Sequence, residues 1–198
     1  APRHEIIVVN DGSTDATAEV LLAARARHSC LRVVTHAANR GYGMALRSGF
    51  AACTLEHIFY TDGDGQYALA DLPKLVAALP GHNWVNGYKI KRSDPWYRCV
   101  IGPVYCRLMR AIFAVNIRDI NCDFRLFQRR ALADIEFRAT DGAFCTEMIV
   151  KAQRRGVRFG EVPVRHLPRT SGRSQIFTPG RIAYVLVELW RLWREPRR

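Results

Sequence analysis

His57-Ile58-Phe59-Tyr60-Thr61-Asp62-Gly63-Asp64-Gly65-Gln66-Tyr67 is the stretch whose reading decides the fold. Its first five residues are rich in β-branched and aromatic side chains and read as a short buried strand. The Asp-Gly-Asp-Gly run then breaks it. Two carboxylates one residue apart at a strand end can share a hard divalent cation, with diphosphate oxygens filling the remaining positions. Asp and Gly are also the commonest turn formers, so the stretch alone reads equally well as an acidic turn between strand and helix. In open α/β sheets ligands bind just beyond the carboxyl ends of strands, where this turn falls.

Working outward, short apolar runs alternate with amphipathic stretches, the pattern of an α/β domain. Strands are expected over Glu5 to Asn10, Leu31 to Thr35, His57 to Thr61, Trp84 to Ile90, Asn121 to Gln128 and Val157 to Val164. Helices are expected after the Asp11 to Asp15 turn through Arg27, from the Asn39 to Gly43 loop to about Cys53, and over Asp71 to Leu79, Pro95 to Phe113, Gly142 to Arg155 and Pro179 to Trp193. With 198 residues, 48% of them hydrophobic, the chain suits one well-buried domain and not two.

A formal net charge of +12 points to an anionic partner: nucleotide, lipid phosphate, phospholipid or nucleic acid. No helix-turn-helix, zinc-finger or aromatic-platform pattern supports nucleic acid, so none is expected. The six cysteines form no C-x-x-C pair or framework and read as free thiols in a reducing compartment. Ala1 leads directly into the first strand, with neither a start methionine nor a signal-peptide apolar region, which reads as a fragment. Ile182 to Trp193 is apolar but contains Glu188 and Arg191 and falls short of the ~20 residues a membrane span needs.

Three motifs resemble those of family 2 glycosyltransferases. Asp62-Gly63-Asp64-Gly65-Gln66 resembles their D-x-D-x-Q motif, and Val9-Asn10-Asp11-Gly12-Ser13-Thr14-Asp15 their V-D-D-G-S-x-D motif. Asn39-Arg40-Gly41-Tyr42-Gly43 with Ala45 is similar to the N-x-G-x-G-x-A segment of the polyprenyl-phosphate, dolichol-phosphate-mannosyltransferase-like branch. The resemblance implies a GT-A-type fold, a mixed, mainly parallel sheet flanked by helices. Relatives begin with a further strand and a P-x-x-N-E-like loop that this chain lacks, so the sheet is expected to miss its usual first strand. By resemblance Asp11, Gly12, Ser13, Asn39, Gly41, Asp62, Gly63 and Asp64 bind the nucleotide sugar, GDP-mannose or UDP-glucose. Asp62 and Asp64, assisted by Gln66, hold Mg²⁺ or Mn²⁺ on its diphosphate. Asn10 replaces a family Asp.

The acceptor half carries the same resemblance. Hydroxyl-glycosylating relatives place a catalytic base at the Asp of a T-E-D motif, and here Cys145-Thr146-Glu147-Met148 ends in a methionine that takes no proton. A hydroxyl needs that base, whereas a phosphate near neutral pH is already an anion, its second pKa being ~6. A polyprenyl phosphate acceptor is therefore implied. Arg92-Ser93-Asp94-Pro95-Trp96-Tyr97-Arg98 resembles R-x-D-P-x-x-R, Asp123-Phe124-Arg125-Leu126-Phe127 resembles G-F-R-L-F with Asp for Gly, and Glu161-Val162-Pro163-Val164 resembles E-V-P-V. Arg169 to Ser174 resembles R-x-x-G-x-S, while Gly102 stands where mannosyltransferase relatives often carry a phosphate-binding Ser. Arg98, Arg169 and Arg173, with Asp64, are the expected catalytic contacts, Ser174 a further phosphate ligand, since guanidinium groups bind phosphate bidentately.

The expected organisation is a catalytic domain over residues 1–177 and a C-terminal amphipathic helix over 178–198. Trp190, Trp193, Arg191, Arg194, Arg197 and Arg198 suit an interfacial helix on the cytoplasmic face of a membrane; ordinary packing on the domain explains the helix equally. The rival readings are a transferase using a hydroxyl acceptor, with Asp123 or Glu147 as base, and a degenerate, non-catalytic relative.

Overall fold

A computed structural model describes residues 3–90, 96–168 and 179–196, with the backbone alone described for 96–98. Strand β1 (Ile6–Asp11) pairs in parallel with β2 (Leu31–His36), in register from Ile6↔Leu31 to Asp11↔His36. Helix α1 (Thr17–Arg27) connects them and buries no residue. The Asp15 carboxylate accepts the N–H and hydroxyl of Thr17 at its start, while Ala16 at the cap position makes no side-chain cap bond.

Helix α2 (Tyr42–Ala52) crosses to β3 (His57–Thr61), and a 3-10 turn leads into α3 (Leu72–Ala78) and β4 (Trp84–Ile90). Helix α4 (Trp96–Phe113) precedes β5 (Phe124–Gln128), then come α5 (Phe144–Arg154), β6 (Phe159–Arg165) and α6 (Pro179–Arg194). The second sheet has the order β3-β5-β4-β6, with β5 antiparallel to both neighbours and β4 parallel to β6. Strands β3, β4 and β6 thus run together and β5 alone is reversed, a mixed, mainly parallel arrangement. The described strands form two sheets and not one continuous sheet: β1 pairs only with β2, and β3 only with β5.

Alternation along the strands sorts the core into two layers. Trp84 stacks on Phe127 at 4.5 Å and joins Met109, Phe113, Phe144, Met148 and Ile149 under α4 and α5. Val85, Phe124, Leu126, Val162 and Val164 face the other way, under Leu75 of α3. Leu189 and Leu192 bring α6 into the first layer. Glu195, just past α6, lies within ion-pair distance of Lys151, Arg138 and Arg154 and pins that end to α5.

One boundary differs from expectation for a physical reason. Asn121 to Asp123, expected to open β5, is a turn. Its carbonyls are drawn off the ladder by buried cations: Arg125 takes the carbonyls of Ile120 and Cys122, and Lys89 that of Asn121.

Candidate active site at the carboxyl edge of the sheet

Because β3, β4 and β6 are parallel, their carboxyl ends share one edge, which the start of β5 completes. Asp62 follows β3 there, and Asp123 precedes β5 one register step beyond the Thr61↔Phe124 pair. Tyr42 at the start of α2 donates its hydroxyl to Asp62 Oδ1 at 3.0 Å. The Tyr42 and Tyr60 hydroxyls are 3.1 Å apart, and Tyr60 donates to Asp123 Oδ1. Cys145 of α5 donates to the same oxygen at 3.2 Å, and Arg125, fully buried, reaches it at 3.4 Å.

The electrostatics follow from this crowding. Burial, then the nearby Asp123 and Asp64, push the Asp62 carboxyl up to about 8, against the Tyr42 hydrogen bond that favours its ionised form. A half-buried carboxylate beside two others has the chemistry of a hard-cation site. Asp64 takes a different partner: its Oδ1 accepts the Gln66 N–H at 3.0 Å and closes the turn. Among the described residues no cluster of three His, Cys, Asp or Glu surrounds Asp62 and Asp64.

Gln66 is buried, and its side-chain amide donates to the carbonyl of Leu167 at 3.3 Å while Leu167 N–H donates back to the Gln66 carbonyl at 2.8 Å. Expected as an assistant to the metal, Gln66 is thus first a tie between the acidic turn and the segment after β6.

The earlier motif supports the site from one side. Asp11 Oδ1 accepts Arg40 N–H at 2.9 Å and Oδ2 accepts Gly41 N–H at 3.0 Å, with His36 Nδ1 at 2.6 Å from Oδ1. Burial opposes ionisation of Asp11, yet these donors hold its carboxyl below the ordinary range. His36 Nε2 lies 2.8 Å from Ser48 Oγ. The Asp11–His36–Ser48 line has the order of a nucleophilic triad, but Ser48 is inside α2, where backbone N–H groups are spent on helix bonds and none remains for an oxyanion. Its work is to staple the 39–41 loop and α2 to β1.

Gly12, at φ +68°, passes so close to Ala38 and Asn39 that a Cβ would lie 2.4 Å from their backbone. Asn10 is buried and accepts Ser13 N–H at 3.0 Å, a turn-forming role for the residue that replaces the family Asp. Asn39 and Gly63 are exposed. The structure therefore brings Asp11, Gly12, Ser13, Asn39 and Gly41 together as one buttress, and Asp62, Gly63, Asp64 and Gln66 as the acidic turn, with Tyr42 joining the two.

Of the acceptor contacts expected, Arg92, Arg169, Arg173 and Ser174 lie outside the described residues, as does the side chain of Arg98. The two rival bases are described. Glu147 is buried and accepts the N–H groups of Arg138 and Ala139 between 2.9 and 3.1 Å and pairs with Lys151 at 2.7 Å, so its carboxylate is spent inside the fold. Met148 is fully buried. Tyr42, Tyr60, Cys145 and Lys89 were not singled out from sequence. Lys89 is buried, 3.3 Å from Asp119 and 3.4 Å from the Tyr67 hydroxyl. The recoverable signal was the register: pairing β3 with β5 sets Asp62 opposite Asp123.

Fold and site together define a GT-A-type α/β protein with an acidic turn at its ligand-binding edge. The sequence profile of glycosyl transferase family 2 matches residues 1–136. An uncharacterized glycosyltransferase of Mycobacterium tuberculosis and one of Mycobacterium bovis are each 31% identical over 195 residues, covering 96% of this chain and 85% of the relative. The chain belongs to glycosyl transferase family 2.

Solved structures agree on the fold. Glucosyl-3-phosphoglycerate synthase from Mycobacterium tuberculosis, in complex with Mn²⁺, UDP and glucosyl-3-phosphoglycerate, is similar with a TM-score of 0.73 at 20% identity over 97% of this chain and 70% of that one. The same enzyme with Mn²⁺ and UDP-glucose gives 0.71 at 20% identity, over 96% and 68%.

Proposed function

We propose that the chain is an inverting, metal-dependent glycosyltransferase that moves a hexose, mannose or glucose, from a nucleotide diphosphate sugar to the phosphate of a polyprenyl phosphate. The observation that carries the acceptor is the start of α5. Where hydroxyl-glycosylating relatives supply a base, this chain has the fully buried Met148, and the adjacent Glu147 is consumed by Arg138, Ala139 and Lys151. An acceptor that arrives already ionised needs neither.

The donor would be GDP-mannose or UDP-glucose, and the solved neighbour with UDP-glucose and Mn²⁺ favours a uridine nucleotide. Asp62 and Asp64, assisted by Gln66, would hold Mg²⁺ or Mn²⁺. Bound there, the cation supplies charge neutralisation for a diphosphate leaving group. The chain's own contribution is to orient: Asp11 fixes the 39–41 loop, and Tyr42 aims Asp62. A phosphate oxygen of the acceptor attacks the anomeric carbon, the bond to the nucleotide diphosphate oxygen breaks, and configuration inverts. By the motif resemblance, Arg98, Arg169 and Arg173 would be the phosphate contacts.

The carrier's isoprenoid would lie by a membrane. No helix among the described residues is long and apolar enough to cross one, but α6 exposes Ile182, Leu186, Trp190 and Trp193 along one face, and Arg194 stacks over Trp190 at 4.9 Å. That face suits peripheral docking on a cytoplasmic leaflet, with residues 1–177 as the catalytic unit.

The test is transfer of radiolabelled sugar from each donor to polyprenyl phosphate and, separately, to phosphoglyceric acid, with Mn²⁺ or EDTA. Mn²⁺-dependent label in the lipid supports the proposal. Label on phosphoglyceric acid alone overturns the acceptor, and no label with either donor favours a degenerate relative.

A further inference from the structure

The turn before β5 carries an aspartate where relatives resembling this chain have glycine, and no role in donor or acceptor binding follows from that resemblance. Asp123 Oδ1 collects three donors: the Tyr60 hydroxyl, the Cys145 thiol and the Arg125 guanidinium. These come from β3, α5 and β5, so the carboxylate is fixed from three directions. Arg125 is itself fixed by the carbonyls of Ile120 and Cys122, at 2.6 and 2.8 Å.

Each tyrosine has one hydroxyl proton. Tyr60 donates its proton to Asp123, and its oxygen is left 3.1 Å from the Tyr42 hydroxyl, which donates to Asp62 at 3.0 Å. The four side chains lie in order across the mouth of the β3–β5 pair, each tyrosine proton going to its own carboxylate, and Tyr42 opens α2 directly after the loop that Asp11 staples. A hydroxyl rotor is aimed by its acceptor. Without Asp123, Tyr60 would lose the acceptor that aims it and turn its proton to Tyr42 or to solvent, so the Tyr42 hydroxyl would no longer sit beside a fixed oxygen as it donates to Asp62. We propose that Asp123 is a positioning residue for the cation-binding carboxylate Asp62, acting through the hydroxyls of Tyr60 and Tyr42. The inference rests on the reading of Asp62 and Asp64 as the metal carboxylates.

The variants Tyr60→Phe and Tyr42→Phe remove one hydroxyl each and change no charge; Asp123→Ala and the double variant Tyr60→Phe/Asp123→Ala complete a cycle. Mn²⁺ affinity in the presence of UDP or GDP is read by electron paramagnetic resonance, with melting temperature alongside. The expected result is a Kd for Mn²⁺ raised about three- to tenfold in each single variant, the scale of one hydrogen bond. The double variant should be little worse than Asp123→Ala, because the two residues act along one line.

Unchanged Mn²⁺ affinity in Tyr60→Phe and Asp123→Ala, with Asp64→Ala still losing it, overturns the positioning role alone. Wild-type protein that binds no Mn²⁺ overturns the metal reading and this inference with it. Asp123→Ala that keeps Mn²⁺ affinity but loses kcat makes Asp123 a base for a hydroxyl acceptor and overturns both the positioning role and the lipid-phosphate reading.

Discussion

Asp62 and Asp123 face each other across the open end of the β3–β5 pair, one step beyond Thr61↔Phe124, with two tyrosine hydroxyls bridging the carboxylates. Two carboxylates in so buried a place resist simultaneous ionisation. Burial and Asp123 raise the Asp62 carboxyl from its ordinary value to about 8. A raised acid stabilises the fold fully below its unfolded value and loses that contribution as pH rises through the folded one. The metal-free chain should therefore lose melting temperature between about pH 4 and pH 8, less so in Asp62→Asn. Mn²⁺ competes with the same proton, so its affinity should tighten across that range. Calorimetric titration at pH 6, 7 and 8 checks the sign.

Arg125 is the largest buried cation in the described residues, and it closes the turn that carries Asp123. Removing it leaves two buried carbonyls without this donor and takes one of the three donors from the Asp123 carboxylate. Arg125→Ala should cost about 3–5 kcal/mol, the range for breaking a buried charged network, and urea denaturation measures it. Arg125→Lys should recover only part, because an ammonium cannot span the carbonyls of Ile120 and Cys122 as a planar fork does.

Asp71 joins the two ends of the second sheet's outer layer. Buried ahead of α3, it accepts Arg165 N–H at 2.8 Å, pairs with the Arg165 side chain at 3.2 Å and with Lys74 at 2.8 Å. Burial works against its ionisation, but Lys74 and Arg165 prevail and hold the carboxyl at about 2. A lowered acid contributes above its unfolded value and loses that contribution as pH falls through the folded one. Wild type should therefore lose this stabilisation between about pH 4 and pH 2. Asp71→Asn should lower stability by roughly 1–2 kcal/mol at neutral pH, where one charged hydrogen-bond set is lost, and the two proteins should converge as the pH approaches 2.

How much of this was legible in the sequence depends on range. The strand ending at Thr61, the acidic turn and the glycine-marked loop at Gly41 were read correctly because each is set by neighbours within a few residues. The turn at Asn121 to Asp123 was misread as strand because what unpairs it, Lys89 and Arg125 taking its carbonyls, is a tertiary contact. Gln66 and Asp11 were marked as ligand-binding from motif position. Their hydrogen bonds to Leu167 and to the Arg40–Gly41 backbone lie 101 and about 30 residues away in sequence, beyond any local pattern. The tyrosine line needed the strand register as well.

Gly43 shows how close the two halves approach. Its N–H donates to the Thr140 carbonyl at 2.9 Å, and a Cβ there would meet Ala139 O and Thr140 C at 2.9 Å and Phe144 Cβ at 3.0 Å. Two of these are backbone atoms, so α2 would have to back away, taking Tyr42 with it. Gly43→Ala should cost about 1–3 kcal/mol as an overpacked contact and should weaken Mn²⁺ binding as well. A melting-temperature loss without any change in Mn²⁺ affinity would separate the packing of α2 from its aim at Asp62.

The outward face of α6 offers the last test, of where the protein works. Leu189 and Leu192 are committed to the core, while Ile182, Leu186, Trp190 and Trp193 on the neighbouring stripe of the same helix are exposed and can meet a bilayer. Arg191 and Arg194 flank it, and tryptophan bodies with cationic neighbours suit the boundary between headgroups and acyl chains. The intact chain should sediment with vesicles containing phosphatidylserine, more weakly with neutral ones, and release as salt is raised. Trp190→Glu/Trp193→Glu should abolish sedimentation without changing the melting temperature, since neither indole is buried. Sugar transfer to a short, water-soluble polyprenyl phosphate should survive that variant while transfer to vesicle-borne carrier falls. Equal loss with both acceptors would assign the two tryptophans to the fold or the site and not to a membrane.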